Sequence, residues 1–288
     1  MAKESLEGSP VQPVETRWSS LYRAVVWILG RHSTHRTKLA SVLQEVVGSK
    51  LGTNHIIALE DYTQIMRPIA NAILFLEGET TMYLGLLLPV VRSVIVQYSK
   101  LLADDSALKL LRPLAEGVRG HVKRRFSDIL TQDQYKLAAA FHPQQKLKWV
   151  VNDDGDVDHV EKEAVQKLMV AAFEKETPAQ ENVPSPEETS PHDIFNVFST
   201  SPSHPEFTAQ ECIVTYLNSR RPGFQVLKEY HALRKLFIAY NTALPSSASC
   251  ERLFSQGKSV LRPNRSKMSD LNFEMVMFLR GNMKLVQP

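Results

Sequence analysis

The sequence predicts an all-α protein. Apolar residues recur at helical spacing almost from end to end, and no stretch alternates apolar and polar residues like a half-buried strand. Of the 288 residues, 43% are hydrophobic, enough to bury a substantial core. Charged residues make up 23%, and a net charge of +3 with a pI near 8.7 is mildly basic. That balance is compatible with a nucleic-acid partner without being diagnostic of one.

Residues 1–15 are polar, read as disordered, and lack the apolar core of a secretory signal. The run Thr16-Arg17-Trp18-Ser19-Ser20 opens a helix in which Trp18, Leu21, Tyr22, Val25, Val26 and Leu29 recur, with Gly30 as its expected stop. A second helix is expected over 37–47, where Leu39, Val42, Leu43 and Val46 are apolar, followed by a loop over 48–55. The third, over 57–76, contains Pro68, which lacks the N–H a helix interior needs and predicts a kink. The fourth covers 84–102, with Pro89 in its first turns. Its longest apolar run, 84–98, is too short for a membrane span and is interrupted by Pro89 and Arg92, so no membrane partner is expected.

Asp104, Asp105 and Ser106 then lead into a long helix over 107–130, with Pro113 early in it. A short helix over 133–141 ends at His142-Pro143. The acidic turn 152–158 precedes a helix over 157–176.

Residues 176–208 hold six prolines, six acidic residues and no Lys or Arg. Such a segment buries too little apolar surface to order itself, so 177–208 reads as an acidic, Pro-rich linker. Ile194, Phe195, Val197 and Phe198 are its apolar exception. The linker separates a helical domain, 16–176, from a C-terminal unit, 209–288. That unit begins with helices over 209–217 and 224–240.

Pro245, Ser246 and Ser247 start the next helix, with Glu251 close to its positive end. Pro263 and Asn264 break the chain, and Ser269 and Asp270 start a final helix. Two amphipathic helices thus flank a basic turn of Lys258, Arg262, Arg265 and Lys267.

Other clusters carry less. Asn152, Asp154, Asp156, Asp158 and Glu163 imitate calcium-ligand spacing, but an EF-hand loop needs Gly at its sixth position, where Val157 stands. No His or Cys pair has metal-ligand spacing, and no metal or other cofactor is expected. His121, Lys123, Arg124 and Arg125, with Arg119, form one basic cluster; Arg31, His32, His35, Arg36 and Lys38 form another. Each reads either as a phosphate contact or as a solvated helix face. Cys212 and Cys250 read as reduced thiols of an intracellular protein.

The run Pro245-Ser-Ser-Ala-Ser-Cys-Glu251-Arg-Leu-Phe-Ser255, then Arg262-Pro-Asn-Arg265 and the closing apolar helix, resembles the C-terminal signature of hAT-family DNA transposases. Cys250 replaces the Ser that commonly precedes the Glu. Upstream, residues 16–20 are similar to that family's T-R-W-N-S motif. Residues 62–89 are similar to its helical insertion domain, and residues 138–146 resemble a helix end of that domain, with His142 in place of an acid.

The resemblance implies an insertion-type helical domain followed by the C-terminal helical segment of an incomplete RNase H-like domain. In the family, two Asp and one Glu hold two metal ions that flank the scissile phosphate. Glu251 matches the Glu. The two Asp belong on strands preceding the Arg-Trp motif, where only about fifteen residues stand and none is Asp. The family's zinc finger has no counterpart either.

The expectation is a transposase-derived dimerisation module, a truncated or domesticated copy, that does not cut DNA alone. Its partner is a second copy or a related hAT-type protein, engaged through Leu253, Phe254, Phe273, Met277 and Phe278. The competing expectation is that these side chains pack on residues 209–240 of the same chain. DNA is the alternative partner, through Arg17 and Trp18 at a transposon end, with Arg124, Arg125, Arg262 and Arg265 as further candidates. A third reading is a nuclease completed by a partner that supplies the missing Asp residues. The expected location is nuclear, with cytoplasmic as the alternative.

Overall fold

The computed structural model describes residues 18–78, 82–176, 208–221, 223–261 and 268–286. Residues 1–15, Arg17, Arg262, Arg265 and nearly all of the expected linker lie outside them, as does the Trp18 side chain. Among the described residues the architecture is helical, and the one β-type pairing is an isolated antiparallel bridge between Val151 and Val157.

Helix α1 (Trp18–Thr34) packs against α2 (Arg36–Val47) and α3 (Thr53–Leu76). Gly30 does not stop α1. A glycine ends a helix by turning left-handed, and Gly30 is not among the positive-φ residues, whereas Gly48 after α2 has φ 75°. The stop falls four residues later, where the Ser33 and Thr34 hydroxyls both donate to Gly30 O at 2.9 Å. Helix α3 continues through Pro68.

A 3-10 turn, Leu84–Leu86, leads into α4 (Leu87–Ala103), the central helix of the fold. Pro89 falls in its first turn, where a missing N–H costs little, so it does not interrupt the helix. The stretch Leu84–Ala103 is therefore 20 residues long, enough by length and composition to cross a membrane, and longer than the apolar run read from sequence. Half of it is buried within the protein. Leu87, Val91, Val94, Ile95, Tyr98 and Leu102 pack with Ile65 of α3 and with Ala115 and Val122 of α5 (Arg112–Arg125). Leu88 enters a second core. Each such side chain stabilises the fold by about 1.5–3 kcal/mol when fully buried. The Tyr98 hydroxyl donates to Ile65 O at 2.6 Å, so its polar end is satisfied.

The long helix expected over 107–130 is a correction. The chain instead turns through 104–111, forms α5, breaks at Phe126, and continues as α6 (Ser127–Thr131). The cause lies elsewhere in the sequence. The buried Asp61 carboxylate on α3 accepts the backbone N–H groups of Lys109, Leu110 and Leu111 through one oxygen, at 3.0, 2.7 and 2.9 Å. Those N–H groups are thereby withdrawn from any helix. Pro113 then sits in the first turn of α5, where it is tolerated.

The second core joins α7 (Asp133–Phe141), α8 (His159–Glu176), α9 (Ala209–Asn218), α10 (Val226–Glu229) and α11 (His231–Asn241). It contains Phe141, Trp149, Val165, Met169, Ile213, Tyr216, Leu233 and Leu236, so it draws on both sides of residues 177–207. Helix α9 opens with a capping box: Thr208 Oγ1 accepts the Glu211 N–H, and Glu211 Oε2 accepts the Thr208 N–H. The single helix expected over 224–240 is a second correction, because the chain leaves helical geometry at Tyr230 (φ −114°, ψ 91°), between α10 and α11.

Two features lock this core. The Asn241 side chain accepts the Gly85 N–H at 2.7 Å and donates to Ala138 O at 3.0 Å, all three groups buried. Gly85 is required there, since a Cβ would lie 2.2 Å from Ala138 O. Beside it, the rings of Tyr83, His142, Phe224 and Phe237 all contact one another, with centroids 5.2–6.0 Å apart. His142 ends α7 in extended geometry, as a residue before proline does. Among the described residues neither of its buried ring nitrogens has a hydrogen-bond partner, and burial pushes its pKa down to about 4.

Candidate pairing surface and basic faces

The C-terminal hairpin is α12 (Ala248–Val260) and α13 (Asp270–Val286). Two polar contacts tether it to the end of α3: Ser246 Oγ donates to Leu76 O and Arg252 Nη1 to Glu77 O, each at 2.9 Å. Ser247 starts α12 without a side-chain cap. Its hydroxyl donates to Glu251 Oε1 at 2.8 Å instead.

The two helices meet along a seam built on a small residue. A Cβ at Gly257 would lie 3.1 Å from Phe273 Cζ and 3.6 Å from Met277, so this glycine sets how closely α13 approaches α12. Val260 and Met277 are buried in that seam. Phe273 and Met277 thus point inward within the hairpin.

Most of the other described apolar side chains of the hairpin face solvent. Phe254 is 77% exposed and Phe278 69%, and Leu253, Leu261, Leu271, Met275, Leu279 and Met283 are also exposed. Single exposed hydrophobics are ordinary, but this many on two adjacent helices form the kind of patch that marks an association surface. Among the candidate pairing residues, Leu253, Phe254 and Phe278 are available to a partner.

The other candidates are dispersed. Glu251 is exposed on the first turn of α12, and no group of three His, Cys, Asp or Glu side chains able to hold a metal ion occurs among the described residues. In the loop with calcium-like spacing, Asn152 Oδ1 accepts the N–H groups of Asp154, Gly155 and Asp156 at 3.0, 2.9 and 2.9 Å. The loop's own amide therefore organises it. On α5, Lys123 is paired with Asp153 and Arg119 Nη1 reaches Ser99 Oγ at 3.4 Å. Arg124 and Arg125 are exposed and form no ion pair among the described residues. In the other basic cluster, the Arg31 guanidinium lies 5.7 Å from the Trp27 ring centroid.

Sequence reasoning missed the roles of Gly257 and Asn241. A glycine four residues from a helix end reads as a weak helix former, and a lone Asn gives no periodic signal.

Fold and surface together define an all-helical protein ending in a hairpin with an open apolar face. Residues 224–283 match the model of the hAT family C-terminal dimerisation region, so this segment is similar to an hAT-type transposase C-terminal part, and the match supports a role in self-association or association with hAT-type partners. The match covers α10, α11, α12 and most of α13. No curated protein matches the chain.

Proposed function

We propose that the protein is a transposase-derived pairing module, joining a second copy of itself through the outward face of α12 and α13. The observation that carries this is the solvent-facing set of Phe254, Phe278, Leu271 and Leu279 inside the matched dimerisation region. Burying such a face yields about 25 cal/mol per Å² before the entropy of association is subtracted. Sedimentation across a dilution series tests it. A concentration-dependent dimer is expected, and a strictly monomeric species at micromolar protein would overturn the reading.

In this reading the module does not cleave DNA by itself. Glu251 is engaged by Ser247 on an exposed helix turn, and one carboxylate does not hold a pair of magnesium ions. Nicking assays with magnesium, on the wild type and on Glu251→Gln, test this, and nicking lost in the variant would refute it. The proposed location is the nucleus, tested by imaging the tagged chain.

A DNA-binding role is the second reading. It is favoured by Arg124 and Arg125, two exposed cations at the end of α5 without carboxylate partners among the described residues. It predicts binding that weakens steeply with salt and with Arg124→Gln/Arg125→Gln.

A further inference from the structure

A cleft of about 370 Å³ opens between α4 and the segment that follows α7. Arg92, Lys100 and Lys148 contribute three cations to its walls, with Gln145 as a neutral polar group and Val96 and Trp149 as apolar backing; Gln97 Nε2 donates to Ser93 O and Oγ, and Lys148 Nζ donates to Gln144 O at 3.1 Å. Arg92 Nη2 donates to Glu161 Oε2 at 2.9 Å, while its buried Nε has no hydrogen-bond partner among the described residues. That carboxylate is shared, since Lys136 reaches Glu161 Oε1 at 3.2 Å. Two cations on one carboxylate leave an excess of positive charge.

Lys100 and Lys148 form no ion pair among the described residues. The Lys100 ammonium lies against Gly155, where an added Cβ would be 3.7 Å from Nζ. The acids flanking that glycine, Asp154 and Asp156, are not part of the cleft walls. Next along the same loop, Asp153 is taken up by Lys123. Neither lysine is therefore held in an ion pair by a carboxylate among the described residues.

We propose that this cleft is a phosphate-binding site, with Lys100 and Lys148 as its charged contacts and the Gln145 amide as its neutral donor. The ligand is a phosphate ester, either a backbone phosphate of DNA or a free phosphorylated small molecule. Two ammonium groups on opposite walls suit an anion that presents oxygens in several directions. The proposal is independent of pairing through α12 and α13.

The test uses the full chain and the Lys100→Gln/Lys148→Gln variant, with Lys228→Gln/Arg234→Gln as a charge-matched control at a separate apolar cleft. Binding of a fluorescently labelled 20-base-pair duplex is followed by anisotropy from 50 to 200 mM salt, and binding of inorganic pyrophosphate by calorimetry. If the ligand is DNA backbone, the cleft variant binds duplex roughly tenfold more weakly and its log–log salt slope falls by about two, while the control changes equally little in both measures. If the ligand is a small phosphate ester, pyrophosphate binding is lost in the cleft variant and duplex binding is not. Duplex and pyrophosphate binding indistinguishable between cleft variant and control, or absent from the wild type, would overturn the proposal. Both lysines are exposed, so neither substitution disturbs a core.

Discussion

Asn241 Oδ1 accepts the Gly85 N–H at 2.7 Å, across 156 residues of chain. The same side chain donates to Ala138 O. One amide thus joins the 3-10 turn before α4, the end of α7 and the last turn of α11. Removing it leaves a buried donor and a buried acceptor unmet. Asn241→Ala is expected to cost about 2–4 kcal/mol, read from urea unfolding. Gly85→Ala should cost at least as much, because its new methyl would overlap the Ala138 carbonyl rather than displace a flexible side chain.

Asp61 is the second tether. Burial by itself would raise its pKa, but the N–H groups of Leu110, Leu111 and Lys109 together outweigh that and hold it below the usual carboxylate value of 3.8. A carboxyl depressed in the folded state contributes stability above its unfolded pKa and loses it as pH falls through the folded one. Asp61→Ala should therefore destabilise by about 3 kcal/mol at neutral pH. The difference from wild type should shrink below about pH 4. Asp61→Asn, which keeps an acceptor oxygen, should cost less. Thermal unfolding from pH 2.5 to 7 reads all three.

His142 predicts acid sensitivity of the same sign in a higher pH window. It is 1% exposed among aromatic rings, and its pKa falls from 6.5 to about 4. Between those values the unfolded chain binds a proton that the folded chain does not. Stability therefore rises with pH from about 4 to about 6.5 and is flat above. His142→Phe should remove this slope while leaving the Asp61 contribution in place. A slope unchanged in the variant would mean that another group titrates.

The pairing surface is tested by single substitutions that leave the hairpin seam intact. Phe254→Ser and Phe278→Ser remove exposed rings, so the monomer should remain as stable as wild type. Each should weaken dimerisation by about 2 kcal/mol, roughly thirtyfold in Kd, if these rings sit at the centre of the contact. Gly257→Ala separates packing from pairing: its methyl should disturb the approach of Phe273 across the α12–α13 seam, offset in part by the higher helix propensity of alanine, while the outward rings stay in place.

Much of the helical layout was legible because a long helix repeats its apolar spacing over several turns. Helices α2, α7 and α9 lie within a residue or two of where the pattern puts them. The breaks were not legible where a distant group causes them. Nothing in residues 104–111 reveals that Asp61 will take their N–H groups, and nothing in 224–240 marks Tyr230 as extended. The hairpin was readable from its two amphipathic periods. Which face turns outward was not, because Gly257 decides it by admitting Phe273 and Met277 to the inside. In the sequence His142 stands out as the residue before a proline and as the substitute for an acid at a resembling helix end, but a four-ring cluster drawn from residues 83, 142, 224 and 237 has no linear signature.

The core that Ile213, Tyr216, Leu233 and Leu236 share with Val165 and Met169 has a practical corollary. A peptide trimmed to the matched segment 224–283 would carry Leu233 and Leu236 stripped of their neighbours, and would aggregate through a surface that the intact molecule never shows. The proposed pairing through the outer rings therefore depends on the whole fold and is not a detachable cassette.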